Sequence, residues 1–311
     1  MKIVGIQVLP EVEPCQVPLW RQILRGFSQC AFQTNEITAL FFIAGVTVFN
    51  WRMGVCYVAS VVIGTVVARL LRGVPDLLGL GLYGFNSGLM GLALANFFQP
   101  DLALWLLVPV VAAVVAAGTV AMARWVRIPF LAAPFIAMFW VLWPLADMLG
   151  LHKIDLGAFP NAPVALLDGT VCALGATLFA TGYLVGILFL AGVLISNWRH
   201  AVVAVIGAAL AASLAAHVGA KGTAINSGFI GFNAVLAAMA VYAIVAADLR
   251  LAAMASVFAT WIFSYVGRNM PAPALASGFV LTVWLILLLG WLNPRFNGDM
   301  TLVEGAGNSS G

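Results

Sequence analysis

One six-residue pattern, Gly-x-x-Gly-Phe-Asn, occurs twice in this sequence. It lies in GLYGFNSGLMG at residues 81–91 and again in GFIGFNAVLAA at residues 228–238. A phenylalanine ring presents a flat apolar face, and the neighbouring asparagine both donates and accepts hydrogen bonds. The pattern therefore offers contact and positioning, and it lacks the nucleophile, base or metal ligand of a catalytic motif.

A second set of polar side chains stands directly before and inside an apolar segment. In SQCAFQTNEIT, residues 28–38, the amides Gln29 and Gln33 flank Phe32, and Glu36 follows. Such residues are tolerated at membrane depth where they line a cavity or cap a helix that ends inside the membrane. The matching stretch of the second half keeps a phenylalanine, Phe179, but has Ala176 where Gln29 stands.

The composition places these motifs in a membrane. The chain of 311 residues is 63% hydrophobic and 8% charged, whereas soluble domains are about 25% charged. Long runs without charge predict about ten membrane crossings. These runs are apolar on every face, without the period-2 alternation of a membrane barrel, so we expect an all-α polytopic membrane protein.

Several functional classes lack their signatures. The net charge of +3 is too small and scattered for a nucleic-acid partner, and the four cysteines show no C-x-x-C spacing. None of the three histidines pairs with another at ligand spacing, so we expect no metal site and no cofactor. Nucleophile, zinc-protease and phosphate-loop motifs are missing, so we expect no enzyme.

The sequence contains an internal repeat. An offset of 147 residues aligns GVTVFNWR (45–52) with GVLISNWR (192–199), and the same offset carries Phe85 onto Phe232. A nearby offset of 144 aligns IPFLAAPF with APALASGF. We expect two repeats of about five transmembrane helices each, at 18–150 and 165–293. If each repeat has an odd number of spans, the repeats lie inverted in the membrane.

The segments outside the repeats read as connections and tails. Residues 151–164 form a connecting loop rich in glycine, proline and charge. Residues 1–17 form a polar N-terminal segment without a cleavable signal peptide, and residues 294–311 form a polar C-terminal tail. Internal duplication in a polytopic helical protein is typical of a transporter or channel whose path runs between the repeats.

Within the repeated motif, two roles are separable by helical spacing. In a helix beginning near residue 83, Gly84, Gly88 and Gly91 form one stripe that allows a neighbouring helix to approach closely. Asn86 and Asn233 can satisfy free backbone groups of a helix that begins inside the membrane, and we expect them to be half-helix caps.

Together these motifs resemble the bacterial and animal urea transporters, over about residues 25–289. The resemblance rests on SQCAFQTNEIT, GLYGFNSGLMG and their repeats around Phe179 and in GFIGFNAVL. It implies membrane-embedded half-helices around a central pore, passive permeation of urea, and a homotrimer with one pore per subunit. It also implies an integral protein of a bacterial inner membrane, with lipid and urea as its partners.

The resemblance also implies which residues line the pore. Phe32 and Phe85 would form one aromatic slot, and Phe179 and Phe232 the other. Leu89 and Leu236 would continue the apolar wall. Gln29 would supply oxygen to the N–H groups of urea, although it can equally be only a half-helix cap.

Two departures make the centre of this pore more apolar than the family pattern. The family carries threonines between the slots where this sequence has Ala132 and Ala276, and a polar residue where it has Ala176. The expected solute is therefore urea or a small planar amide. Phenylalanines that face lipid, an ion- or proton-coupled secondary transporter using Glu36, and a structural scaffold remain alternatives at this stage.

Overall fold

The computed structural model describes residues 17–126, 128–155, 157 and 159–292, together with the backbone of two short strands. These strands, β1 (Lys2–Ile3) and β2 (Ile6–Gln7), pair antiparallel. The expectations for the rest of the N-terminal segment, including its lack of a signal peptide, and for the C-terminal tail lie outside the described residues.

Seven helices form the first half of the chain, and α1 continues into the 3-10 turn Gln29–Ala31. The helices are α1 (Leu19–Ser28), α2 (Glu36–Phe49), α3 (Trp51–Leu70), α4 (Pro75–Gly79), α5 (Leu82–Phe97), α6 (Leu102–Trp125) and α7 (Ala133–Leu145).

The second half repeats this order of elements. Its helices are α8 (Leu166–Ala176), α9 (Tyr183–Ser196), α10 (Trp198–His217), α11 (Gly222–Asn226), α12 (Phe232–Ala240), α13 (Leu249–Asn269) and α14 (Ser277–Leu292). The bounds of α9, α10 and α11 are those of α2, α3 and α4 moved by the offset of 147 residues. A short π-helical turn, Val241–Val245, extends α12.

Equivalent helices begin with equivalent caps. Asn50 and Asn197 accept hydrogen bonds from backbone N–H groups in the first turns of α3 and α10. Asp101 and Asp248 do the same for α6 and α13. A side-chain oxygen at this position satisfies N–H groups that have no partner within the helix, so the four long helices start at defined residues.

These helices confirm the all-α polytopic class. The four long ones, α3, α6, α10 and α13, are long and apolar enough to cross a membrane. The bent pair α1 and α2, with 68° between its parts, makes a fifth candidate. The remaining apolar helices of the described chain have 10–17 residues, so the expected number of ten crossings stays a prediction.

The glycine stripe of α5 faces α3. A Cβ atom added at Gly88 would lie 2.5 Å from Cγ2 of Val61 and 2.9 Å from the ring of Tyr57. Added Cβ atoms at Gly84 and Gly91 would also collide with α3 residues. The absence of side chains on this stripe therefore lets the two helices pack closely.

The two halves exchange matching contacts. Trp140 Nε1 donates to the carbonyl oxygen of Pro273 at 2.9 Å, and Trp284 Nε1 donates to that of Pro129 at 2.8 Å. An offset of 144 carries Trp140 onto Trp284 and Pro129 onto Pro273. Each half thus gives the other the contact that it receives, which is the pattern of a self-complementary interface.

Candidate functional site

The site is built where helices break. The turn after α1 ends at Phe32, whose φ of 57° is left-handed, and Phe179 after α8 has φ 59°. Leu131 before α7 and Leu275 before α14 have φ 50° and 51°. A left-handed backbone costs a non-glycine residue free energy and persists only where the surroundings hold it. Both halves accept this cost at equivalent positions.

A cavity lies where these breaks meet. Helices α5 and α12 and the broken ends of the first and second halves all contribute to its wall. The lining residues are Cys30, Phe32, Phe85, Leu89, Thr177, Phe179, Phe232, Leu236, Ala276 and Phe279. The cavity is narrow, with space for about one water molecule. Its wall carries no charged side chain among the described residues.

The structure brings together most of the residues predicted for a pore. All four slot phenylalanines, both leucines and Ala276 line the cavity, whereas Gln29 and Ala132 are not among its lining residues. Ala132 is fully buried at the start of α7. Gln29 is 5% exposed, and its side-chain amide makes no hydrogen bond in the described part of the chain.

Three lining residues were missed by the sequence analysis. Cys30 and Thr177 occupy equivalent positions at the offset of 147, and Phe279 follows Ala276 by three residues. The repeat offset was the available signal, because it pairs Cys30 with Thr177 one residue beyond Gln29 and Ala176. A single cysteine or threonine in an apolar segment does not by itself predict a pore-lining residue.

The slot rings are held edge-on by phenylalanines from the opposite half. Phe32 contacts Phe279 with ring centroids 6.1 Å apart at 76°, and Phe179 contacts Phe135 at 6.2 Å and 86°. Such T-shaped pairs are a favoured aromatic geometry. Among the described rings, Phe32 makes no ring contact with Phe85, nor Phe179 with Phe232, and all four line the cavity.

Asn86 and Asn233 act on neighbouring helices rather than on the helices that contain them. Asn86 Nδ2 donates to the carbonyl oxygen of Leu131 at 3.0 Å, and its Oδ1 accepts from the backbone N–H of Phe135 at 3.2 Å. Asn233 bridges Leu275 and Phe279 in the same way, at 2.9 Å for both bonds. Each amide thus satisfies both sides of the break that precedes α7 or α14.

The polar groups near the cavity are mostly occupied. Thr177 Oγ1 donates to the carbonyl oxygen of Leu174 at 2.6 Å. In the other half, the equivalent carbonyl, that of Phe27, accepts from the hydroxyl of Tyr57 at 3.2 Å, and Cys30 Sγ lies 3.1 Å from the same hydroxyl. The two halves therefore cover the same backbone oxygen with different donors.

Glu36 lies outside the cavity wall in an ion-pair cluster. Its Oε1 accepts from Arg21 Nε at 2.7 Å and from Arg25 Nε at 3.1 Å. The offset of 147 places Asp168 and Tyr183 at the positions of Arg21 and Glu36, and the Tyr183 hydroxyl donates to the Asp168 carboxylate. Both halves therefore have a side-chain hydrogen bond between these two positions, but only the first half has an ion pair there. A contact that does not need opposite charges indicates a structural role for these positions.

Metal-binding geometry is not found in the described residues. No group of three or more His, Cys, Asp or Glu side chains there lies close enough to hold an ion.

Comparison with known proteins gives the family. A model of the family described as "UT: Urea transporter" matches residues 20–290. The chain belongs to the urea transporter family. This confirms the resemblance read from the paired motifs. Members of the urea transporter family are transport proteins, and the apolar helices described above fit an integral membrane protein.

Individual urea transporters are similar over most of the chain. Urea transporter 1 of Rattus norvegicus is 26% identical over 303 residues, and that of Mus musculus is 26% identical over 298 residues. Urea transporter 1 of Ovis aries is 26% identical over 306 residues. Each alignment covers 88% of this chain and 77% of the relative.

Proposed function

We propose that this protein is a passive, channel-like pathway for urea or a small planar amide, with one aromatic-lined pore in each subunit. Membership of the urea transporter family supports urea as the transported solute. The observation that carries the proposal of an aromatic-lined pore is the cavity, because residues at matched positions of both halves line it.

The wall of this cavity selects by shape and by desolvation. Aromatic faces at either side pass a flat solute edge-on, and an uncharged narrow passage cannot replace the water shell of an ion. Removing water from an amide-like solute costs roughly 2–7 kcal/mol if no hydrogen bond replaces it. One side of the path must therefore supply acceptors.

Acceptors are available next to the aromatic rings. The side chain of Gln29, three residues before Phe32, makes no hydrogen bond in the described part of the chain, so its amide oxygen can accept one, although Gln29 is not among the residues that line the cavity. The C-terminal ends of α1 and α8 precede Phe32 and Phe179 in the chain. Each backbone carbonyl oxygen there has two lone pairs, so one that accepts a hydrogen bond within the protein can accept another from a solute. Binding through such groups remains weak enough for the solute to leave.

We further infer that the pore lies between two inverted repeats, residues 18–150 and 165–293, joined by the loop 151–164. The reciprocal Trp–Pro hydrogen bonds support a two-fold relation, and so does the stacking of Phe42 on Phe189, whose centroids are 4.9 Å apart. These two phenylalanines are equivalent at the offset of 147. A homotrimer in a bacterial inner membrane is the corresponding assembly and location, and it rests on the family resemblance.

The coupled-transporter alternative has weaker support. Coupling to an ion needs an ionisable group that is free to bind it near the middle of the membrane. Glu36 already accepts hydrogen bonds from two arginines.

The test is urea flux in vesicles without any ion gradient. Purified protein in liposomes should let urea equilibrate in stopped-flow light scattering at equal pH and equal sodium on both sides. Collapsing residual gradients with ionophores should leave the rate unchanged. Urea flux that requires an imposed proton or sodium gradient would favour the coupled transporter, and flux no faster than in protein-free liposomes would reject the proposal.

A further inference from the structure

A side-chain hydrogen bond ties the loop after Phe32 to the other half of the chain. Gln33 Nε2 lies 2.8 Å from His200 Nδ1, although 167 residues separate the two in the sequence. The same nitrogen lies 2.6 Å from the carbonyl oxygen of Ala31. Gln33 is 3% exposed, and it directly follows the phenylalanine that lines the cavity.

The chemistry of these groups sets the direction of the bond. A carbonyl oxygen only accepts, so the amide nitrogen of Gln33 must face Ala31. That nitrogen only donates, so Nδ1 of His200 must accept. The imidazole that completes this bond is therefore neutral and carries its proton on Nε2.

Gln33 takes part in holding the strained turn. Its backbone N–H donates to the carbonyl oxygen of Ser28 at 3.2 Å, and the Ser28 hydroxyl donates to the carbonyl oxygen of Gln33 at 2.8 Å. Between these residues Phe32 keeps its left-handed φ of 57°. Such a conformation persists only where several contacts fix it. The ring of Phe32 contacts Phe279 of the second half, and the bond to His200 adds a side-chain hydrogen bond from the turn to that half.

Only one half of the chain has this bond. The offset of 147 places Met53 at the position of His200 and Ala180 at that of Gln33. Neither can form the pair. Phe179 keeps the same backbone conformation without it, so the two predicted slots differ in what holds them.

None of the titratable groups described around His200 takes the place of Gln33 as its hydrogen-bond partner. Tyr242 makes a ring contact with it at 5.9 Å. In the described chain, no ion pair joins His200 to any charged residue of its own helix or of the helices packed on it. The other groups on these helices and their caps are Asp168, Cys172, Tyr183, Arg199, His217, Lys221, Asp248, Arg250, Tyr265 and Arg268. Arg25 and Glu36, on either side of the Gln33 loop, pair with each other.

We infer that Gln33 and His200 are positioning residues for the Phe32 slot. We also infer that urea permeation falls in acid, because protonation of His200 breaks the hydrogen bond between them. The inference rests on the proposed function. A proton taken from solvent by Nδ1 turns the acceptor into a donor, which then faces the donor of Gln33. The hydrogen bond breaks without any other covalent change, and the turn that presents Phe32 loses its hydrogen bond to the second half.

The test is the pH profile of urea permeation, measured with equal pH on both sides of the vesicle. Between about pH 8 and about pH 4, a range that extends well below the ordinary titration of imidazole, the unmodified protein should lose about threefold in permeability, the scale of one hydrogen bond. His200→Met, which copies the other repeat, should be low and independent of pH. His200→Gln keeps an acceptor that does not titrate, so it should restore most of the flux and be independent of pH.

His217→Gln is the matched control, since this histidine lies on the same helix and makes no contact with the Gln33 loop. It should keep the profile of the unmodified protein. A flat profile in the unmodified protein, or a fall in acid that persists in both His200 variants, would overturn the inference. If folded protein carries no urea even at about pH 8, the proposed function fails instead. If His200→Met does not fold, His200→Gln decides alone.

Discussion

At the scale of single residues, Thr177 illustrates how a cavity wall can accept without donating. Its only hydroxyl proton goes to the carbonyl oxygen of Leu174, so the lone pairs of Oγ1 are what remain for the N–H groups of a solute. Its equivalent in the first half is Cys30, whose sulfur is a weak acceptor. At this pair of positions, only the second half of the chain therefore contributes a hydroxyl group to the cavity wall.

Thr177→Val should lower urea permeability by about threefold, the scale of one lost hydrogen bond. Acetamide should be affected less, because it has one NH₂ group and can turn its methyl group to the new side chain. The measurement is the urea-to-acetamide permeability ratio. Thr119→Val is the control, since Thr119 is fully buried, donates to a carbonyl of its own helix, and does not line the cavity. Equal effects from both variants would contradict a solute contact.

Asn86 shows a second residue-scale effect, the cost of an uncapped break. Asn86→Ala removes the amide that bonds the carbonyl oxygen of Leu131 and the backbone N–H of Phe135, and both residues are buried. We expect a loss of about 2–4 kcal/mol in the free energy of unfolding, because each buried unsatisfied group costs about 1–3 kcal/mol. Asn50→Ala, which removes an exposed cap of α3, should cost about 1 kcal/mol. Equal losses in denaturant titrations would contradict the bridging role of Asn86.

At the scale of elements, the close approach of α3 and α5 depends on the absence of side chains along the stripe. Gly88→Ala should destabilise the protein by about 1–3 kcal/mol, the usual cost of overpacking, because the new Cβ would lie 2.5 Å from Val61. Gly118 lies in α6 with nothing within 4 Å of an added Cβ. Gly118→Ala should stabilise by about 0.5–1 kcal/mol through helix propensity. The check is the thermal midpoint of both variants in detergent, and matching shifts would contradict the packing argument.

The turn between α5 and α6 supplies a second element-scale prediction. Asp101 caps α6 and accepts a hydrogen bond from His152 of the connecting loop at 2.8 Å. The bond from His152, with that from the Leu104 N–H, holds the pKa of the Asp101 carboxyl below its ordinary value. Its contribution to stability is therefore present above about pH 3.9, the unfolded value, and is lost as the pH falls through the folded value.

Thermal melts between about pH 6 and about pH 3 test this contribution. Asp101→Asn keeps a capping side chain but cannot titrate, so its midpoint should fall less in acid than that of the unmodified protein. Asp155→Asn, which changes an exposed loop residue, should follow the unmodified protein. Parallel slopes for the unmodified protein and Asp101→Asn would contradict the link between this carboxylate and stability.

At the scale of the whole molecule, the sequence was most informative where it repeated itself. The offset of 147 aligned the motifs, and it also relates the bounds of α2 and α3 to those of α9 and α10. The four slot phenylalanines were named from the family resemblance, and the repeat relates them as two matched pairs, Phe32 with Phe179 and Phe85 with Phe232. The helical, membrane-embedded class followed from composition, since few polar groups were available to face water.

Contacts between distant segments were beyond sequence reasoning. Nothing in the spacing of Asn86 indicates that its amide bridges residues near 131 and 135, because that contact depends on how α5 and α7 pack. The bond between Gln33 and His200 is equally remote in sequence. Cys30 and Thr177 were overlooked because small side chains become part of a wall only when the breaks around them are assembled.

If solutes cross between the two rings of each aromatic slot, the urea-to-glycerol permeability ratio should depend on those rings. Phe85→Ala and Phe232→Ala, 4% and 8% exposed in the folded chain, widen the two predicted slots. Glycerol is not planar, so each variant should lower the ratio by about tenfold, within the range of steric discrimination by an apolar pocket. Phe49→Ala, at the exposed end of α2, should leave the ratio unchanged. An unchanged ratio in both slot variants, with urea flux intact, would contradict the account.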